Sequence, residues 1–343
     1  MTVATYNSND TSKEAWRSEK LKIFTWHIHG SYLFYLSQGD YEIYIPIDLK
    51  RSAGYYGRGE TFPFGNNVHE VPVELVKELE FDIILFQDDK NYLSDQFSIL
   101  SASQRNLPKI YLEHDPPWGH PTNEQHPVKD DNVTLVHVTH FNAMMWDNNG
   151  LDTRVIEHGV MKPDVTATLE QDKGIVVVNH LIERGRIAGA DIFEKISREI
   201  PLDLVGMGKG TIREVIHPQL PSFMASYRFF FNPMRYTSLG LALCEAMMLG
   251  LPVIGTATTE QACVVENGVD GFVSSDINKL RDKMRMLISD LDVAWQMGQN
   301  ARKKAEERFN INRFTTEWSA LFAEKCGKIN HQNNHHETTD SIN

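Results

Sequence analysis

The stretch "NPMRYTSLGLALCEAMMLGLPVIGT", residues 232–256, holds the pattern from which the fold is read. Upstream, "YRFFFNP" is a continuous apolar run that Pro233 ends, and downstream "LPVIGT" is a second; both read as buried strands. Between them "LGLALCEAMMLG" has helical composition, with Gly250 placed as a C-terminal stop. Thr237 and Ser238 are capping residue types, which predicts a helix starting near Ser238. The first turn of such a helix offers free backbone N–H groups and the positive end of its dipole to an anion. Gly240 lets a ligand approach that backbone closely. Glu245 then lies roughly 10 Å along the helix, at about 1.5 Å per residue, the separation of terminal phosphate and ribose in a nucleoside diphosphate. One carboxylate accepts from both ribose hydroxyls. The spacing fits an ordinary buried αβ unit with a paired glutamate equally well.

Outward from this stretch, short apolar runs alternate with helical or loop segments. "LKIFTW", "FDIILFQ", "KIYLEH", "VTLVHVT" and "TRVIEHG" lie in the first half; "GIVVVNH", "LDLVGMG" and "GFVS" lie in the second. Continuous apolar runs with helical spacers predict parallel sheets in α/β domains, here two in series, and 343 residues suit two cores. The interruption "MKPDVTATLEQDKG", residues 161–174, marks the boundary. The expected organisation is a disordered segment 1–20, one parallel α/β domain over 21–163 and a second over 164–308. A terminal helix over 309–326 and a disordered tail 327–343 with solvated histidines complete it.

Thirty-four basic against forty-six acidic residues give a net charge of -12, which argues against nucleic acid as the main partner. Cys244, Cys263 and Cys326 are too few and too scattered for a disulfide framework or a zinc ribbon, and point to a reducing compartment. The polar opening residues lack the apolar core of a signal peptide, and no run reaches the length of a membrane span. A cytoplasmic protein is expected.

The longer block "NPMRYTSLGLALCEAMMLGLPVIGTATTEQACVVENGVDGFV" resembles the donor-binding region of retaining glycosyltransferases of family 4, the group 1 type, which have the GT-B fold. Glu245, Ala246, Met247, Gly250, Pro252, Val253, Ile254, Asn267, Gly268 and Gly271 match its motif. "TRVIEHGV" and "KIYLEHDPP" are similar to its first-domain motifs, and "GIVVVNHLIERGRIAGADIFEKI" to the segment that supplies its phosphate-binding basic pair. The resemblance implies two doubly wound Rossmann-like domains facing a cleft, the first on the acceptor side and the second binding the donor, with the 309–326 helix returning to the first domain, and a hexosyl- or related transferase. Its donor would be a nucleotide diphosphate sugar, as substrate and not cofactor, with neither cofactor nor metal required. It further implies a glycan or lipid-linked acceptor, polysaccharide synthesis as one setting, and at most peripheral contact with a membrane.

Residue by residue, the resemblance places the diphosphate and ribose at Ser238, Leu239, Gly240, Leu241 and Glu245. His180 and Arg184 fall in the basic-pair stretch, Arg184 being preferred because Gly185 follows it, with Arg186 as the second choice. Thr237 stands where the family has its first motif glutamate, a departure that puts donor choice and activity in question. His114, ending a strand, matches a cleft histidine close to the transferred sugar and joins Arg184 and Thr237 as a catalytic candidate. Gly30 is expected at the donor's distal phosphate, and His29, Asp88 and Asp89 on the acceptor side. "SAGYYGRGETFPFGNN", residues 52–67, reads as an aromatic loop over the cleft. Three other readings carry weight: a metal-dependent hydrolase using His27, His29, His114 and Asp115, a sugar-nucleotide epimerase of the same fold, and a catalytically silent nucleotide-binding or scaffold protein.

Overall fold

A computed structural model describes residues 20–327; the expected disorder of the first segment and of the tail lies outside these residues, apart from Lys20 and Gly327. Among the described residues twelve strands form two sheets. The first holds β1 (Lys22–Thr25), β2 (Glu42–Ile47), β3 (Val68–Pro72), β4 (Ile83–Phe86), β5 (Lys109–Glu113), β6 (Val133–His137) and β7 (Thr153–Val155). Their order is β3-β2-β1-β4-β5-β6-β7, parallel throughout. The second holds β8 (Gln171–Val177), β9 (Leu202–Val205), β10 (Tyr227–Asn232), β11 (Val253–Thr256) and β12 (Gly271–Ser274), in the order β12-β11-β10-β8-β9, again all parallel. Helices cover the faces, so β4, β6, β10 and β11 are buried along their whole length, as their unbroken apolar runs require.

Two strands escape the apolar-run pattern. β2 alternates around Pro46 and β3 is the sheet edge, so neither carries a continuous run. β8 begins at Gln171, inside the stretch expected to be linker, because its first three residues, Gln171, Asp172 and Lys173, are polar.

Each strand order reverses once, between β1 and β4 in the first sheet and between β8 and β10 in the second. In open parallel sheets the crevice beyond the carboxyl ends at such a reversal is where ligands bind. The loops after β1, β4, β8 and β10 carry His27 to Gly30, Gln87 to Asp89, Val178 to His180 and Pro233 to Gly240.

The described residues end with three helices, Ile277–Ser289, Leu291–Arg308 and Ile311–Lys325, the last capped by Asn310, whose Oδ1 accepts from the N–H of Asn312 at 2.8 Å. That last helix buries Phe314, Trp318, Leu321 and Phe322, and its Trp318 Nε1 donates to Tyr32 Oη on the first domain at 3.1 Å. Arg308 binds Glu157 and Glu260 together, while Glu260 accepts from the N–H of Phe141 at 3.0 Å, so one guanidinium ties both halves. Among the described residues no helix is long and apolar enough to cross a membrane.

The Leu241–Leu249 helix is seated by a glycine contact. A Cβ on Gly298 would come within 2.1 Å of the Gly250 carbonyl oxygen, a backbone atom that cannot swing aside. Gly298→Ala is therefore expected to destabilise the chain by about 1–3 kcal/mol and to lower Tm by several degrees. Gly240→Ala adds the same methyl where nothing lies within 4 Å and should leave Tm unchanged; equal melting curves for the two variants would contradict this packing.

Candidate functional site

The loop after β10 is fixed by its own polar groups. Arg235 forks onto Asp191 at 2.6 and 2.8 Å, and Thr258 Oγ1 donates to the Met234 carbonyl at 2.9 Å. Gly189, with φ +84°, lets the segment pass: a Cβ there would meet the Pro233 oxygen at 2.0 Å. The helix that follows starts at Leu241, with extended Gly240 as its N-cap and no capping side chain. This corrects the expected start near Ser238. The Ser238 hydroxyl is not a cap, because it accepts a hydrogen bond from Asn142 Nδ2 of the first domain at 3.1 Å. Glu245 is thus one turn, about 6 Å, inside the helix and not two. Among the described residues no backbone acceptor reaches the N–H groups of Gly240, Leu241 or Ala242. That leaves an anion site at the helix end, with a carboxylate one turn behind it.

The first domain reaches this segment at further points. His158 Nε2 donates to the Leu239 carbonyl at 2.7 Å. Tyr236 Oη donates to the Pro117 carbonyl at 3.0 Å, which joins the loop after β5 to the one after β10. Tyr35 Oη donates to Glu245 Oε1 at 2.7 Å, and His217 Nε2 lies 3.0 Å from the same oxygen. Around these contacts lies a cavity of about 490 Å³. His29, Gly30, Tyr56 and Phe62 line its first-domain side; Asn179, Gly206, Met207, Val215, His217, Leu241, Ala242 and Glu245 line the other. The aromatic loop does reach the cleft: the Phe62 ring lies 5.1 Å from that of His217, and so close to Gly30 that a Cβ there would strike it at 2.4 Å.

His114 stacks on His29 with ring centres 3.8 Å apart. Gln87 donates its amide to Thr25 and the Trp26 carbonyl, so its oxygen, 3.2 Å from His114 Nε2, is an acceptor. His114 therefore carries its proton on Nε2 and keeps Nδ1 as an acceptor. Burial drives its pKa well below the ordinary value, and drives those of His29 and His158 down to about 4, so all three are neutral at physiological pH. Asp115 beside it is raised to about 6, by burial first and by Glu113 second, against the lowering field of Arg184 across the cleft.

Not every expected residue joins this group. Arg186 is turned out by Gly185, whose φ of 63° and ψ of -138° break the helix, and it pairs with Asp191 at 2.7 Å in an exposed position. His180, in left-handed backbone, is exposed at the rim; Arg184, one helical turn later, is exposed too, but its charge reaches Asp115. Asp88 caps the following turn by accepting from the N–H of Lys90 at 2.8 Å, and Asp89 is exposed. Thr237 is buried to 9% exposure, and its hydroxyl has no partner among the described residues. The hydrolase arrangement fails: His27 Nδ1 is tied to the Gly57 carbonyl at 2.6 Å, and no metal-holding cluster of His, Cys, Asp or Glu occurs among the described residues. Tyr35, Asn142 and His217 were not singled out from sequence, since each is defined by a partner at least 28 residues away. His158 had a faint signal in "VIEHGV".

Residues 187–290 match the family model described as "Glycosyl transferases group 1". Trehalose synthase of Thermococcus litoralis is 35% identical over 74 residues, 22% of this chain and 18% of that protein. N-acetyl-alpha-D-glucosaminyl L-malate synthase of Bacillus anthracis is 29% identical over 99 residues, 27% of this chain and 26% of that protein. The chain thus spans about a fifth to a quarter of the length of these curated relatives. Among solved structures, sucrose-phosphate synthase from Thermosynechococcus elongatus aligns with a TM-score of 0.68 at 13% identity, covering 90% of this chain and 100% of that one. Anabaena HepE in complex with UDP-glucose aligns with a TM-score of 0.61 at 14% identity, over 90% and 100% of the two chains. The fold is GT-B.

The neutral histidines make stability pH-dependent. His29, His137 and His158 have folded-state pKa values of about 4 and His114 lies well below its ordinary value, against about 6.5 when unfolded. As pH falls below about 6.5 the unfolded chain takes up these protons first, so stability is lost between about 6.5 and 4. His27, lowered by burial, acts in the same sense as these four, and Asp115 acts in the opposite sense between about 4 and 6, one group against five. The urea midpoint is expected to drop from pH 7.5 to pH 5.0; an equal or higher midpoint at pH 5.0 would contradict the neutral assignment.

Proposed function

We propose, from the group 1 glycosyltransferase domain of residues 187–290 and the GT-B fold that carries it, that this chain transfers a sugar from a nucleotide diphosphate sugar to a glycan or lipid-linked acceptor. The observation that carries the reading is the unpartnered helix end at Gly240 to Ala242 with Glu245 one turn behind it, facing the 490 Å³ cavity. In this reading the diphosphate lies on those N–H groups and the ribose on Glu245. The base enters the cavity between Gly206 and Val215, and the sugar lies towards His114 and Thr237. The neutral His114 Nδ1 accepts from a sugar hydroxyl, and the open Thr237 hydroxyl supplies a second contact where the related motif has a charge. His29, Asp88 and Asp89 border the acceptor side.

As the bond from the anomeric carbon to the phosphate oxygen breaks, negative charge grows on the diphosphate, and the helix end and Arg184 offset it. The acceptor oxygen bonds the same face of that carbon and its proton passes to a donor phosphate oxygen, so configuration is retained and no protein nucleophile is needed. Protein charge stands where other sites use a metal ion, so transfer is expected to persist in EDTA. The setting is cytoplasmic, and a lipid-linked acceptor would require only peripheral contact with the membrane.

A panel of UDP-, GDP- and ADP-linked sugars is expected to contain one that raises Tm and yields free nucleoside diphosphate once acceptor is added. Glu245→Ala should weaken nucleotide binding about 10- to 100-fold in calorimetric titration. Arg184→Ala should slow transfer about 100-fold with a smaller change in affinity. Conversion of the donor sugar without any acceptor would identify an epimerase instead, and binding without release of diphosphate a silent protein.

A further inference from the structure

We propose that Tyr35 of the first domain is a positioning residue for the donor's ribose, acting through Glu245, so that the nucleotide site is complete only when the two domains meet as they do here. The inference rests on the reading of Glu245 as the ribose acceptor. Tyr35 sits in the Gly30–Leu36 helix after β1, 210 residues from Glu245, and donates to Glu245 Oε1 at 2.7 Å. His217 Nε2 lies 3.0 Å from the same oxygen and 3.2 Å from Tyr35 Oη, so three groups close a triangle on Oε1. Among the described residues both hydrogen bonds seen at Glu245 fall on Oε1, and Glu245 lines the cavity. Two donors on one oxygen fix the carboxylate's rotation, and this leaves the other oxygen to accept from the ribose hydroxyls.

The donors are themselves held. Tyr35 is 3% exposed, and the His217 ring is bordered by Phe34, Tyr35 and Phe62 with centroids 5.1 to 5.7 Å away. Burial and the neighbouring Glu245 charge push the Tyr35 pKa far above its ordinary value, so the phenol remains a donor throughout the neutral range. His217 belongs to Glu245's own domain and supplies one of the two donors, while Tyr35 of the opposite domain supplies the other, so Oε1 is held at two points only when the domains meet. Ribose recognition is thereby coupled to domain apposition.

The test is calorimetric titration of the full chain with UDP, GDP and ADP, and with the 2′,3′-dideoxy form of whichever binds. Wild type is expected to prefer the ribonucleotide. Tyr35→Phe, which keeps the ring and its packing, should weaken ribonucleotide binding about ten-fold and leave the dideoxy form unchanged. In Glu245→Gln the further loss from Tyr35→Phe should disappear, with Tm of each variant confirming that it is folded. Equal losses on both nucleotides, or none, would overturn the role of Tyr35 while the ribose reading stands. A wild type without ribose preference would instead overturn the reading of Glu245, and with it this inference.

Discussion

Tyr35, Asn142 and His158, all from the first domain, hold Ser238, Leu239 and Glu245 of the second through a hydroxyl, a carbonyl and a carboxylate oxygen. Each takes an oxygen atom. None takes a backbone N–H of Gly240, Leu241 or Ala242, so the segment is anchored while those N–H groups stay without a backbone acceptor among the described residues. The close approach at Gly189 and the Arg235–Asp191 fork fix the segment that leads to those N–H groups, and the contact of Gly298 with Gly250 seats the far end of the same helix. Arg308 and the returning Ile311–Lys325 helix then set the two sheets against each other.

The electrostatics follow from this geometry. A chain of net charge -12 presents at this cleft a helix dipole, Arg184 and neutral imidazoles. Imidazoles without charge can orient sugar hydroxyls without competing with the cationic groups for phosphate. Burial raises Asp115 to about 6 against the lowering field of Arg184, so this carboxylate ionises just below neutral pH.

Much of this was legible in the sequence, for local reasons. Ten strands announce themselves as apolar runs, and Gly250 ends its helix in the left-handed conformation that its position predicts, with φ 98°. The strand-end rule placed His114 at the cleft, and the family resemblance is what pointed to Thr237 and Gly30. What could not be read depends on contacts across the cleft. Ser238 looks like a cap until Asn142, 96 residues earlier, takes its hydroxyl. Arg184 and Arg186 look alike until the backbone of Gly185 turns the second towards Asp191. Tyr35 reads as one more ring on a buried helix face, and His217 as a loop histidine, until domain packing brings both to Glu245.

The most direct measurement is a crystal structure of the chain with the nucleoside diphosphate that most raises its Tm. The account predicts phosphate oxygens on the N–H groups of Gly240 to Ala242, ribose hydroxyls on Glu245 Oε2 and the base between Gly206 and Val215. A nucleotide bound elsewhere, with that helix end still open, would contradict it.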